Sequence, residues 1–109
     1  MQQERILKKY PNRRLYDTTL SRYVTQEDVR RLVLERIGFR VVDARSGADL
    51  TRTVLLQIVS EREMHGPALL TPEVLTELIR LAERGVHDQV AGELERRLAE
   101  IAEHASAAR

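Results

Sequence analysis

The sequence has no cysteine, few aromatic residues and no long apolar run. Without cysteine the protein can have neither a disulfide framework nor thiolate chemistry. No stretch resembles a signal peptide, and none approaches the roughly 18 apolar residues that cross a bilayer, so we expect no membrane partner and a cytoplasmic location. The four aromatic residues all lie within the first 39 positions. The core should therefore consist mainly of Leu, Val and Ile.

What is present suits one modest globular domain with an appendage. The 109 residues are 42% hydrophobic and 32% charged, a normal balance for a folded protein. The net charge of +1 hides an asymmetry, because residues 1–40 carry ten Lys and Arg against five Asp and Glu, whereas residues 41–109 carry eight against twelve. A basic head on an acidic body is typical of a protein whose head binds a polyanion.

Turn-forming residues divide the head into short strands. Residues 5–17 predict a β-hairpin that turns at Pro11-Asn12,. Proline disfavours the tightest hairpin turns, so we expect a type I turn with a bulge or an extra residue. Tyr23 and Val24 suggest a short third strand.

Two helices and a further strand complete the head. Thr25 and Asp28 have the spacing of a capping box, and the apolar periodicity that follows predicts a helix up to Gly38,. The residues FRVVDA, positions 39–44, predict a strand. A second helix is expected over about residues 51–65, ended by a Gly-Pro pair,.

Two acidic residues of the head need partners. Asp49 is a candidate N-cap for the second helix, as is Thr51,. Asp43 lies in an apolar strand, where a carboxylate requires a compensating group. We expect that group to come from Arg45 or Arg52.

The second part of the chain predicts a long amphipathic helix. Thr71 and Pro72 are suited to its start, and an unbroken helix over residues 72–105 would be about 50 Å long. Alternatively, Gly85 breaks it into a helical hairpin. Apolar residues recur every 3.67 residues or so, close to an eleven-residue repeat, and we expect this stripe to form a dimer or tetramer. Its candidate interface residues are Ile79, Val86, Val90, Leu94, Leu98 and Ile101.

These elements predict an α+β protein in two parts. Residues 1–66 form a small N-terminal β-hairpin with helices and a short strand. Residues 67–109 form the long amphipathic helix or helical hairpin.

No catalytic or metal site can be assembled from the sequence. His65, His87 and His104 are 22 and 17 residues apart, which is not a metal-ligand spacing. The sequence has no recognisable nucleophile with a base, and no glycine-rich phosphate loop. We therefore expect no enzymatic activity, no cofactor and no metal.

The basic hairpin is the strongest candidate site. Lys and Arg can neutralise phosphates, Arg can bind guanine through two hydrogen bonds, Asn12 can pair with adenine, and a two-stranded ribbon fits the major groove of DNA. The alternative is a solvated hairpin, and the tyrosines are interpreted first as packing residues that brace it against the head. The candidate DNA-binding residues are Lys8, Lys9, Tyr10, Asn12, Arg13, Arg14, Tyr16, Arg22, Arg30 and Arg31.

The head closely resembles a known family of DNA-binding domains. The similarity covers roughly residues 5–65, where KYPNRRLYD, YVT, DVRRLV, DARSGADLTR and LLQI occur in the order found in polyhydroxyalkanoate synthesis repressors of the PhaR type. This resemblance implies a bacterial regulator that binds promoter DNA of storage-polymer genes through residues 1–66 and is released when polymer is present. Residues 67–109 would then be an oligomerisation or regulatory tail, and within them residues 69–101 are weakly similar to the family's accumulation-regulator region.

Two other functions are compatible with parts of the sequence. The amphipathic tail would suit a phasin-like granule-coat protein or a plain oligomerisation adaptor, neither of which binds DNA. A coat protein needs an amphipathic face but no concentrated basic hairpin, so the head favours the repressor. The expected partners are double-stranded DNA, further copies of this chain and the polyhydroxyalkanoate polymer.

Overall fold

The structure, a computed structural model, describes residues 4–107 and contains an α+β arrangement of four strands and four helices in that part of the chain. The chain divides after Pro67 into two units. The first contains β1 (Arg5–Lys9), β2 (Leu15–Asp17), β3 (Arg22–Val24), α1 (Gln26–Leu34), β4 (Phe39–Asp43) and α2 (Thr51–Met64), and the second contains α3 (Pro72–Glu83) and α4 (His87–Ala107). The predicted α+β fold class is confirmed.

The strands form one sheet in the order β3-β2-β1-β4. β1 and β2 are antiparallel, which confirms the predicted hairpin. β3 pairs with β2, also antiparallel. β4 runs parallel to β1, a pairing that the sequence did not indicate. Since parallel strands require a crossover connection, the chain returns to β4 through α1.

The core lies on one face of this sheet. Side chains alternate between the two faces of a strand, so the register partners Leu7 on β1 and Val41 on β4 point to the same side. Both are fully buried there, packed with residues of α1 and α2. The core is aliphatic, as predicted, and consists of Leu7, Leu15, Val29, Leu32, Val41 and Val54.

Helix α1 begins with the predicted capping box. The Thr25 hydroxyl accepts a hydrogen bond from the Asp28 N–H (3.1 Å), and the Asp28 carboxylate accepts one from the Thr25 N–H (2.8 Å). Bonding to the backbone and then to the side chain of Thr25 lowers the pKa of Asp28 below its ordinary value. The start of α1 is thus fixed by contacts within four residues of sequence.

The same helix ends at Leu34, earlier than its apolar spacing predicted. The N–H of Arg36 donates to the Val33 carbonyl (3.1 Å), and the N–H of Ile37 donates to the Leu32 carbonyl (2.9 Å). Arg36 has a left-handed φ of 60°. Helices often end on a residue in this conformation, and that residue is usually glycine. Ile37 thereby leaves the helix but still packs against the core.

Helix α2 lacks the side-chain cap predicted from Asp49 or Thr51. Its N-cap residue is Leu50, which makes no side-chain cap hydrogen bond. The Asp49 carboxylate accepts from the Thr51 N–H (2.9 Å), and the Thr51 hydroxyl accepts from the Val41 N–H (2.9 Å). The prediction was wrong because Thr51 ties the start of the helix to the outer edge of β4.

Asp17 is a buried carboxylate that the sequence did not single out. It is 1% exposed, and its Oδ1 accepts hydrogen bonds from the backbone N–H groups of Thr19 (2.8 Å) and Leu20 (3.1 Å). The Arg5 guanidinium lies 3.6 Å from its other oxygen. Asp17 therefore holds the turn between β2 and β3 and links it to β1.

Of the two partners expected for Asp43, the structure has Arg45. The Asp43 Oδ1 accepts from the backbone N–H groups of Arg45 (2.8 Å) and Ser46 (2.9 Å). These bonds, that from Ser46 first, lower the pKa of Asp43, and the charge of Arg45 adds to the effect. The contact of Arg45 is made by its backbone N–H, because the turn after β4 brings two amides to the carboxylate.

The second unit contains two helices. Thr71 caps α3 by accepting a backbone N–H at 3.2 Å, and Pro72 occupies the first helical position, as predicted. Gly85 lies between α3 and α4 with a left-handed φ of 69°. Of the two alternatives for this part of the chain, the structure has the break at Gly85 and not the unbroken helix.

Much of the apolar stripe in the second unit is exposed. Ile79, Leu98 and Ile101 are 67%, 62% and 63% exposed, whereas Val86 and Val90 are half-buried. Within residues 4–107, no helix is long and apolar enough to cross a membrane. In a single chain, most of these side chains therefore meet solvent.

We predict that Asp17→Ala destabilises the protein by about 2–3 kcal/mol, because two backbone N–H groups lose their acceptor. Asp17→Asn keeps an oxygen for them and loses mainly the ion pair with Arg5, so it should cost about 1 kcal/mol. Urea unfolding of both variants measures the difference. Equal losses would mean that the carboxylate does not act through the turn amides.

Candidate nucleic-acid interface

The loop between β1 and β2 has a defined shape. The Tyr10 carbonyl accepts from the Arg13 N–H (2.9 Å), and the Tyr10 N–H donates to the Arg14 carbonyl (3.0 Å). Arg13 adopts a left-handed φ of 67°. This pattern is a tight turn followed by one left-handed residue, in agreement with the turn plus extra residue predicted from Pro11.

Asn12 stabilises this loop from within. Its Oδ1 accepts a hydrogen bond from the Arg14 N–H (3.1 Å), a short-range bond that turns commonly use. The adenine contact predicted for Asn12 would use the same oxygen. That contact stays a prediction, whereas the role of Asn12 in shaping the loop is observed.

The hairpin is enclosed by its neighbours in the sheet. β1 pairs with β4 as far as Lys9 opposite Asp43, and β2 pairs with β3 from Leu15 opposite Val24. Within the hairpin, the loop at residues 10–14 is the part that extends beyond the paired strands. The hairpin is not a free-standing two-stranded ribbon, since it forms the centre of a four-stranded sheet, and its contact with the major groove stays a prediction.

Strand alternation separates the two adjacent lysines. Lys8 is exposed and lies opposite Tyr16, on the face away from the core, whereas Lys9 is half-buried and lies opposite Leu15. Lys9 instead joins the loop arginines along an open groove of about 1030 Å³. The groove is lined on its polar side by Lys9, Arg13, Arg14, Thr25, Gln26, Gln57, Ser60 and Glu61.

The three tyrosines form a cluster on the face opposite the core. The Tyr23 ring lies 5.3 Å from the Tyr16 ring and 6.5 Å from the Tyr10 ring, both edge-on. The Arg14 guanidinium carbon is 4.1 Å above the Tyr23 ring centre, a cation–π arrangement. The tyrosines brace one another and Arg14. Tyr10 and Tyr16 of the hairpin pack on Tyr23 of β3, so the interpretation as packing residues is confirmed, with the packing on the face opposite the core.

Tyr23 was missed as a candidate site residue. Its place beside Tyr16 follows from the pairing of β2 with β3, and a single sequence does not reveal that register. Tyr16 and Tyr23 are seven positions apart, a separation that puts two residues of one strand on opposite faces, and the turn between β2 and β3 brings them to the same face.

The loop cations differ in charge environment from those on α1. No residue within 4–107 forms an ion pair with Lys8, Lys9, Arg13 or Arg14. Arg30, in contrast, donates from Nε and from a terminal nitrogen to Glu27 at 2.8–3.1 Å, a pairing that lowers the pKa of Glu27.

The remaining two candidates lie away from the loop. Arg22 and Arg31 line a hollow that also contains the carboxylates of Asp17 and Asp28. The structure thus brings Lys9, Arg13 and Arg14 together, places Lys8 on the opposite face, and leaves the α1 arginines beside acidic groups. Three cations that form no ion pair within residues 4–107 therefore meet at the loop end of the sheet.

Comparison with known proteins agrees with this reading of the head. The model of the PHB/PHA accumulation regulator DNA-binding domain matches residues 6–66, more than half of the chain, which confirms the resemblance. An "uncharacterized protein in phbA 5′ region" of Thiocystis violacea is 51% identical over 80 residues, or 73% of this chain and 58% of the relative. An uncharacterized protein of Allochromatium vinosum is 52% identical over 80 residues, or 73% of this chain and 52% of the relative.

The chain thus spans about half the length of the curated relatives it matches. No solved structure matches it significantly.

We predict that Arg13→Gly and Arg36→Gly each stabilise the protein by about 0.5 kcal/mol. Both residues have a left-handed φ, and glycine removes a steric penalty of about 1–2 kcal/mol while adding about 0.5–1 kcal/mol of unfolded-state entropy. Only Arg13→Gly should weaken binding to DNA, because Arg36 lies at the end of α1. Urea unfolding and DNA titration test the pair, and an Arg13→Gly protein with parental affinity would remove Arg13 from the interface.

Proposed function

The chain belongs to the family of PHB/PHA accumulation regulator DNA-binding domains, and from this membership we propose that it represses polyhydroxyalkanoate storage genes by binding their promoter DNA. The family is one of DNA-binding regulators and not of enzymes. The relative described as lying in the phbA 5′ region supports a link to storage genes. Repression is what the resemblance to synthesis repressors implies.

The observation that carries the proposal is the group of unpaired cations at the loop end of the sheet. Lys9, Arg13 and Arg14 line one groove, which also contains Thr25, Gln26 and the carboxylate of Glu61. Phosphates of the duplex would lie along Lys9 and the loop. The projecting loop would approach the base edges, so Arg13 and Arg14 are the residues proposed to lie nearest the bases.

The two arginines of the loop are held differently. Arg14 rests on the Tyr23 ring, so less side-chain freedom is lost when it binds a base or phosphate. Arg13 is positioned by its backbone, whose left-handed conformation turns the side chain out of the strand direction. Arg14 is therefore proposed as the pre-oriented contact and Arg13 as the adaptable one.

The second unit is proposed to mediate self-association. Exposed apolar residues on α3 and α4, among them Ile79, Leu94 and Leu98, would form a large apolar patch in a monomer. Val90, Leu94, Leu98 and Ile101 recur at helical spacing along α4,. A dimer or tetramer would cover this stripe and would present two or more basic loops to one promoter.

Release by polymer is a further part of the proposal. The exposed apolar surface of the second unit offers an aliphatic site to a polyester chain, although that unit has no aromatic residue. A ligand displaces DNA only if it prefers the DNA-free conformation. Adding polymer granules to a preformed promoter complex tests this, and full retention of DNA at saturating granules would contradict it.

A phasin-like coat protein or an adaptor is the alternative function. Either would use the same apolar stripe but would leave the loop cations without a role. Binding to granules with no binding to promoter DNA would favour the coat protein.

We predict that Arg13→Ala/Arg14→Ala weakens binding to the promoter of a storage gene. Each lost phosphate contact should lower the slope of log affinity against log salt by about 0.9, and a lost guanine contact should cost about 1–3 kcal/mol on the specific site alone. Fluorescence anisotropy at several salt concentrations measures both effects, on promoter and scrambled duplexes.

The matched control is Arg80→Ala/Arg97→Ala, which removes the same charge from exposed positions of the second unit. It should bind as the parent does. Arg30→Ala tests the α1 arginine separately, and a loss there as large as in the loop variant would move the interface to α1. A folded loop variant with parental affinity would contradict the proposal.

We predict that Leu94→Glu/Leu98→Glu lowers the molar mass measured by light scattering, because charge on the stripe opposes burial between subunits. Ala99→Glu places one such charge on another side of α4 and should leave the mass unchanged. If the double variant keeps both the parental mass and the parental helicity, the stripe is not a subunit interface.

A further inference from the structure

The sheet has one face that no helix of the first unit covers. α1 and α2 contribute to the core on one side, and alternation directs every second strand residue to the other. On this open face Lys8 lies opposite Tyr16 and next to Val42, and Tyr16 lies opposite Tyr23. A single row of side chains thus crosses all four strands.

The composition of this face is unusual for a solvated surface. Tyr23 is 48% exposed and Tyr10 is 36% exposed, and Ile6 and Val42 are half-buried beside them. Solvent-facing sides of antiparallel sheets are ordinarily polar. Here all three tyrosines of the protein share one face with two aliphatic residues.

Positive charge is unevenly distributed over the open face. Arg40 is neutralised by Glu4, with 3.0 Å between the Arg40 Nε and a Glu4 oxygen. Lys8 and Arg14 have no carboxylate partner among residues 4–107. The half of the face nearest the loop is therefore both aromatic and cationic.

We propose that this open face binds single-stranded nucleic acid, with bases stacked on the tyrosines and phosphates near Lys8. Four strands span about 14 Å, whereas the major groove is about 12 Å wide, so the face is too broad to enter a duplex. Flat aromatic platforms with nearby cations are suited to unstacked bases. The surface differs from the loop-end groove proposed for duplex DNA, although Arg14 and Tyr23 border both.

The tyrosines themselves supply the assay. Because the chain has no tryptophan and its three tyrosines all lie on this face, its intrinsic fluorescence reports occupancy of the face directly. We expect a 20-nucleotide oligothymidine to quench tyrosine emission of the full chain, more weakly as salt rises.

The variants separate stacking from charge. Tyr16→Leu should weaken oligothymidine binding about fivefold or more. Lys8→Ala should reduce the salt slope by about 0.7, the single-strand value for one phosphate. Arg62→Ala removes a charge from exposed α2 and serves as the matched control, with parental binding expected. Since Lys8 is exposed, its variant keeps the test decisive even if Tyr16→Leu fails to fold.

Three outcomes would overturn the proposal. One is the absence of quenching by oligothymidine. Another is equal quenching by a 20-base-pair duplex, which would assign the face to double-stranded DNA. The last is tyrosine emission that changes with protein concentration alone, which would assign the face to a second copy of the chain. Promoter binding lost in Arg13→Ala with oligothymidine binding retained would show the two surfaces to be independent.

Discussion

Hydrogen bonding of β1 on both of its edges is the constraint on which the first unit depends. β2 pairs on one side and β4 on the other, so the position of β1 fixes both faces of the sheet. Leu7 then points into the core and Lys8 away from it. The same pairing leaves the residue 10–14 loop as the part of the hairpin that projects. The positions of the core, the open face and the basic loop therefore all depend on the pairing of β1.

The separation of charge in the head follows from that arrangement. Cations on α1 and on the core side of the sheet have carboxylates nearby, as Arg30 has Glu27 and Arg5 has Asp17. Those at the loop form no ion pair within residues 4–107, although Glu61 lines the same groove. Left-handed backbone conformation is not itself a sign of function, because Ser21 and Arg36 share it with Arg13. The projection of Arg13 beside other unpaired cations is what marks the loop as a binding surface.

Local signals in the sequence predicted the parts of the fold that local chemistry decides. The capping box at Thr25, the cap at Thr71 and the turn at Pro11 each depend on neighbours within a few residues, and all three are observed. The parallel partner of β1 could not be predicted, since it comes from a strand more than 30 residues away. The early end of α1 was not predicted, because the left-handed residue after the helix is Arg36 and not the glycine that usually marks a helix end,.

Contacts between residues distant in sequence also limited the prediction of the candidate site. The sequence identified the basic residues, but alternation and register decided which of them meet. Lys8 and Lys9 are adjacent in sequence and lie on opposite faces, and Tyr23 joined the site through a pairing that no local pattern encodes. Asp17 escaped notice for a similar reason, since its burial depends on the β2–β3 turn and on Arg5.

The parallel pairing of β1 with β4 also bears on how the protein is made. During synthesis β1 emerges first, but its second partner emerges more than 30 residues later. The strands β1 to β3 emerge before β4, but the core on their face also needs Val41 of β4 and Val54 of α2, and contacts distant in sequence slow the folding step. The nascent head should therefore complete its core only after β4 and α2 have left the ribosome.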